Sequence, residues 1–189
     1  MIEYIYPTPI YFDSVKDYQV LNYHIDKVID RVDFNMKNNW SATHYLSTDF
    51  VGEFNIIKEL GLHKIKKEID KHVRNYCDEL GFEMQEYKME SWFSKFEKGN
   101  YAHIHNHGIT DISGVYYYKT NGEDGRLFFK SPNKNLETSK CYIKLSGRRK
   151  YKPREGDIVL FPGWLDHGVE TNSTDNIRIS LAFNILFQS

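Results

Sequence analysis

The chain has 189 residues, of which 40% are hydrophobic and 15% aromatic, enough for one domain with a buried core and too apolar for disorder. Lys and Arg number 25 against 26 Asp and Glu, a formal net charge of −1, so no global field draws the chain to nucleic acid or to an anionic membrane, and neither is expected as a partner. No apolar run approaches the roughly 20 residues that cross a bilayer, the start MIEYIYPTPIYFDS lacks a signal-peptide pattern, and Cys77 and Cys141 form no metal-type pair, so a cytoplasmic, reducing setting is expected.

Along the chain, residues near 14–32 place Leu21, Ile25, Val28, Ile29 and Val32 at helical spacing. A loop, NNWSATHYLSTDFVGEFN, follows. A second helix is predicted near 54–80, with Ile65, Ile69, Val73, Tyr76, Cys77 and Leu80 on one stripe and Gly81 as its stop. From about residue 85 the period changes to 2. Candidate strands are 87–96, 113–119, 125–131, 141–146, 157–162 and 177–187, separated by turn residues such as Asn121-Gly122 and Pro153-Arg-Glu-Gly156. Helices first and short strands after predict a mainly β fold, a β-sandwich or jelly roll backed by two α-helices. Helical support at about 14–80 and a β core at about 85–187 make one domain. The basic run SGRRKYKPR (146–154) reads as a solvated turn between strands.

His103, His105 and His107 stand two apart, so on a strand all three imidazoles project the same way, an arrangement suited to holding a metal. About 60 residues later, EGDIVLFPGWLDHGV runs a buried strand into a Pro-Gly turn and then His167. Two same-face imidazoles and one distant imidazole form a facial metal site with open positions. Eleven residues beyond His167, Arg178 heads a strand face shared with Ser180, Ala182 and Asn184, while Ile179, Leu181, Phe183 and Ile185 share the other. A buried arginine there requires an anion, and its planar fork suits a carboxylate.

These residues carry a resemblance. YPTPI near the start, NNWSA at 38–42, SWFSKFEKGNYAHIHNH, SGVYYY, EGDIVLFPGWLDHGV and RISLAFN occur in order over nearly the whole chain. Together they resemble the Fe(II)/2-oxoglutarate-dependent dioxygenases of the double-stranded β-helix fold, and within them a short branch of microbes and phages. The resemblance implies His105, His107 and His167 as metal ligands and Arg178 with Ser180 as the 2-oxoglutarate clamp. It further implies that Tyr117 contacts the co-substrate and that Asn184 looks toward the metal. The cofactors implied are Fe(II), 2-oxoglutarate and O2, and the activity is hydroxylation coupled to 2-oxoglutarate decarboxylation. The wider superfamily uses His-x-Asp or His-x-Glu where this chain has His105-Asn106-His107, so Asp111 stands as an alternative third ligand or as a partner of an imidazole. The loop with Trp40, His44, Tyr45 and Asp49 is a candidate substrate-side lid. Two other readings stay open: a cupin-like three-histidine dioxygenase without 2-oxoglutarate, and a non-catalytic jelly-roll binding protein. The primary substrate is not encoded in these motifs, and an exposed edge strand leaves room for a homodimer.

Overall fold

The computed structural model describes residues 1, 5–35, 42–50, 52–138 and 140–188; Trp40 and the rest of segment 38–41 lie outside them. In chain order the first elements are β1 (Tyr11–Ser14), α1 (Tyr18–Asp26), β2 (Tyr45–Leu46), α2 (Ile56–Glu59) and α3 (His63–Glu79). The middle of the chain forms β3 (Tyr87–Phe96), β4 (Ala102–His105), β5 (Ile112–Lys119) and β6 (Leu127–Phe129). The last elements are α4 (Ile143–Ser146), β7 (Arg149–Tyr151), β8 (Asp157–Pro162), β9 (His167–Val169) and β10 (Arg178–Phe187). They build two antiparallel sheets, one of six strands in the order β1-β8-β5-β10-β3-β2 and one of four in the order β4-β9-β6-β7. The result is a mainly β jelly roll with few helices.

Strand β10 explains the layering. Its alternate residues Ile179, Leu181, Phe183 and Ile185 are buried in one core with Ile65, Ile69, Val73 and Tyr76 of α3 and with Leu21 and Ile25 of α1. Each such side chain contributes roughly 1.5–3 kcal/mol when removed from water. Residue 114 of β5 must be glycine for the same reason: a Cβ there would lie 2.3 Å from Phe183 Cζ and 2.7 Å from Leu160 Cδ2. Tyr116 and Tyr118 face this side of the sheet too, and their hydroxyls donate to Asn22 and Asp26, tying β5 to α1.

The opposite face of the large sheet is organised in transverse rows set by register. Phe96 pairs with Arg178; Ser94, Ser180 and Tyr117 form the next row; Trp92, Ala182 and Val115 the third; and Glu90, Asn184 and Ser113 the fourth. Strands rise about 3.3 Å per residue, so two-residue steps space the rows roughly 7 Å apart. On this face an apolar row thus separates two polar ones.

Several expectations are corrected. The helix expected over 14–32 is shorter: β1 takes residues 11–14, and α1 gives way to a 3-10 turn at Ile29–Arg31. The helix expected over 54–80 breaks into α2 and α3 at Gly61, whose φ of 64° lies in the left-handed region. The strand expected at 141–146 contains α4 instead. Tyr142, Ile143 and Leu145 are all more than half exposed, so no face is buried to hold a strand, and the strand beside β6 is supplied by Arg149–Tyr151 from within the basic run. Among the described residues no helix is long and apolar enough to cross a membrane.

Candidate metal centre

The histidines expected at one spacing part company at a bulge. Ala102 pairs with Val169 and His105 with His167, so three residue steps on β4 oppose two on β9. The extra residue breaks the alternation. His103 is therefore exposed and borders a separate surface groove. His105, His107 and His167 converge: one ring nitrogen from each lies within 4.8 Å of the others. His107 Nε2 lies 3.3 Å from His167 Nε2.

Each imidazole is oriented from its other nitrogen. His105 Nδ1 bonds the carbonyl of His103 at 2.8 Å, and His167 Nδ1 bonds the carbonyl of Leu165 at 2.8 Å. Both are contacts to the main chain two residues earlier, and a carbonyl only accepts, so each Nδ1 carries the proton and each Nε2 is in the unprotonated form that can take a metal. His107 Nδ1 lies 3.3 Å from the side chain of Asn184. The main chain carrying His107 is fixed by its N–H to the Gly163 carbonyl, 2.8 Å. Glycine is required at 163 because a Cβ would meet the Thr110 carbonyl at 2.2 Å. Asn106 Nδ2 donates to Asp166 at 2.8 Å and joins the segments that carry His105 and His107 to the one that carries His167.

Burial holds all three rings neutral. It lowers the His105 pKa; it lowers that of His107 to about 3, with His105 adding repulsion; and it pushes His167 well below the ordinary range, with the same neighbours adding. Neutral imidazole is the ligating form. Asp111, the alternative ligand, is outside this group: it is exposed, and its Oδ2 accepts from the Phe187 N–H at 2.8 Å. That bond anchors the end of β10.

A cavity of about 710 Å³ opens from the three histidines to the first two rows of the sheet, lined among others by Tyr117, Arg178 and Ser180. Arg178 is 2% exposed. One of its terminal nitrogens donates to the Gly125 carbonyl at 2.7 Å, and its guanidinium stacks over Phe96 at 4.4 Å. Phe96 is stacked in turn by His44 at 4.3 Å and 3°. Arg178 Nε and Tyr117 Oη are both buried with no hydrogen-bond partner in the structure. Burial raises the Tyr117 pKa to about 12, so the phenol keeps its proton. Two orphaned donors on residues lining one cavity, one cationic, match a carboxylate.

The early loop divides. Asp49 and Phe50 line the cavity, Phe50 packing edge-on against Trp92 and held at φ 60°. His44 is 3% exposed, a wall of the cavity instead of a lid, and Tyr45 belongs to β2. Trp92 is a cavity wall, tilted on His107 at 5.8 Å, whereas Trp164 is 50% exposed. Sequence reasoning missed Phe50 and the stacking role of Phe96. Phe50 is adjacent to a residue already singled out, but Phe96 meets Arg178 only through long-range register.

Comparisons agree with this geometry. No curated protein matches the chain in sequence. Among solved structures, a Pseudomonas putida prolyl-4-hydroxylase is similar with a TM-score of 0.68 at 12% identity, covering 96% of this chain and 94% of that one. HygX from Streptomyces hygroscopicus, solved with nickel and 2-oxoglutarate bound, gives a TM-score of 0.67 at 12% identity over 96% of this chain and 84% of its own. A Trichoplax adhaerens prolyl hydroxylase, in complex with a hypoxia inducible factor peptide fragment, gives 0.64 at 13% identity over 94% and 83%. At such identities these likenesses establish the fold. A family model described as "Putative 2OG-Fe(II) oxygenase" matches residues 90–184, half of the chain, including the three histidines and the β10 arginine. The chain belongs to the 2OG-Fe(II) oxygenase family, and with it to the oxidoreductases.

Proposed function

We propose that the protein is a non-haem Fe(II)- and 2-oxoglutarate-dependent dioxygenase that hydroxylates its substrate. The observation that carries this reading is the pair of buried, unpartnered donors, Arg178 Nε and Tyr117 Oη, in the same cavity as three convergent imidazoles. A cupin-like dioxygenase without 2-oxoglutarate, or a binding module, leaves that pair without a use.

In this reading His105, His107 and His167 hold the metal through Nε2. Arg178, assisted by Tyr117 Oη and the Ser180 hydroxyl on the adjacent row, takes the far carboxylate of 2-oxoglutarate. When bound, Fe(II) with 2-oxoglutarate and O2 supplies decarboxylation of the co-substrate to succinate and insertion of one oxygen atom into a substrate C–H bond. The chain's own contribution is placement. Phe96 and the Gly125 carbonyl fix the guanidinium plane, and the rows of β10 set its separation from the histidines. Trp92, Val115, Leu127 and Phe161 give the cavity apolar walls that exclude water. The same reading carries a cytoplasmic location, supported by two free thiols, Cys77 and Cys141.

The test is anaerobic. Fe(II) and then 2-oxoglutarate are added to metal-free protein and the visible spectrum is recorded. A weak charge-transfer band that needs both additions is expected, and Arg178→Ala should lose it at the same 2-oxoglutarate concentration while still binding iron. Iron binding with no such band in the unaltered protein would refute the reading.

A further inference from the structure

Arg178 is buried and carries its charge before any co-substrate arrives, so the chain itself must balance it. The Gly125 carbonyl and the Phe96 ring offer partial charges only. A carboxyl group stands on the residue before that carbonyl. Asp124 is 0% exposed, and both of its oxygens are engaged. Oδ1 accepts from the Thr120 hydroxyl at 2.6 Å, and Oδ2 accepts from the Asn121 N–H at 2.9 Å and from the Asn176 amide at 2.6 Å. Three donors fit a carboxylate, which only accepts. All three are neutral, so its charge is answered at longer range. Burial lowers the Arg178 pKa, and Asp124 opposes that shift. Asp157, which also acts on Tyr117, differs in having Arg154 Nε at 3.5 Å.

The local fold holds this carboxylate in place. Thr120 and Asn121 open the connection between β5 and β6, and Asn176 stands two residues before Arg178 on the way into β10. One side chain thus pins the turn to the start of the arginine's strand. Gly125 follows at φ 102°, where a Cβ would lie 2.5 Å from the Glu170 carbonyl oxygen, and its own carbonyl meets Arg178 at 2.7 Å. We infer that Asp124 is the standing counter-ion of Arg178, a positioning residue whose charge limits how tightly the arginine holds a dicarboxylate. The inference rests on the co-substrate reading above. A carboxylate reaching Arg178 meets a cation already balanced, and feels Asp124 as a like charge. 2-Oxoglutarate and succinate share the same far carboxylate, so the restraint falls on both, and it serves release of the product.

The experiment measures binding, without turnover. 2-Oxoglutarate, succinate and 2-oxopentanoate, a keto acid of the same length with no far carboxylate, are titrated calorimetrically into Mn(II)-loaded, oxygen-free protein. In Asp124→Asn the amide oxygen can accept from Asn121 and Asn176 while its nitrogen turns to the Thr120 hydroxyl, which also accepts, so the turn keeps its bonds and loses its charge. Asn176→Lys keeps Asp124 and brings an ammonium to it from a half-buried position. Each variant should bind both dicarboxylates about tenfold more tightly, the low end of what a nearby charge does to an ionic equilibrium, and leave 2-oxopentanoate unchanged. Damage to the turn would instead weaken all three acids. Weakening, an equal shift in all three, or unchanged dicarboxylate affinity would each overturn the inference; should the asparagine variant not fold, the lysine variant decides alone. If the unaltered protein binds 2-oxoglutarate no better than 2-oxopentanoate, the co-substrate reading itself fails, an outcome read before any substitution is made.

Discussion

Replacing Tyr117 by Phe should move stability and co-substrate binding in opposite directions. Tyr117 is fully buried, and its hydroxyl has no hydrogen-bond partner in the structure. A buried polar group left unmatched costs about 1–3 kcal/mol. Phe retains the ring that packs with Val115, Leu127, Phe129 and Phe161, so the substitution removes the penalty and little else. For a chain of this size each kcal/mol is worth roughly 2–4 °C in melting temperature, which gives a rise of about 2–12 °C in the absence of 2-oxoglutarate. With 2-oxoglutarate the balance reverses, because a hydrogen bond to a charged group contributes about 1.5–3 kcal/mol. At 1.4 kcal/mol per tenfold, affinity should fall about 10- to 100-fold. Calorimetric titration of 2-oxoglutarate into Mn(II)-loaded, oxygen-free protein reads the second quantity, and a thermal melt reads the first. A lower melting temperature for the Phe protein would mean the hydroxyl is already satisfied without co-substrate; unchanged affinity would mean it never meets the carboxylate. Either result refutes the assignment.

Two further outcomes are expected. Gly114→Ala forces a Cβ to 2.3 Å from the buried Phe183 ring; overpacking of this kind costs roughly 1–3 kcal/mol, to be read as a lower urea midpoint at unchanged slope. Acidification should destabilise the metal-free protein before its carboxylates titrate. His44 is held neutral by burial, its pKa pushed down from 6.5 to about 3, and His107 behaves alike. Between those values the unfolded chain holds the extra protons, so stability rises with pH. Each such histidine removes up to about 1.4 kcal/mol per pH unit on the way down. Melting temperature should therefore fall steadily from pH 7 to pH 5, and His44→Phe should flatten part of the slope; a flat profile in the unaltered protein would contradict the burial argument.

Legibility in the sequence followed how local each signal was. Strands β3 and β8 match the expected ranges, and β10 is one residue shorter, because dense two-residue alternation is written in neighbouring residues. The two faces of β10 were readable for the same reason. The strand expected at 141–146 was not: its composition favours extension, but a strand needs a partner edge, and that partner is fixed by chain topology. The three-step spacing between Ala102 and His105 is a property of the β4–β9 pairing, which alternation within one strand does not contain. Nor could it show that Asp111 is drawn off by the Phe187 N–H, a contact spanning 76 positions. What a pattern in one strand cannot contain is the strand beside it.

The manner in which the three imidazoles are held has an evolutionary consequence. Two take their orientation from carbonyls of their own chain, which any amino acid at those positions would supply. The third lies 3.3 Å from a side chain on β10 of the other sheet, which a single codon change can alter. Natural variation can therefore alter the setting of His107 through residue 184 and leave the other two imidazoles undisturbed. The centre is rigid where inheritance must not touch it and adjustable at one place, which is where this chain departs from the His-x-Asp or His-x-Glu pair of the wider superfamily.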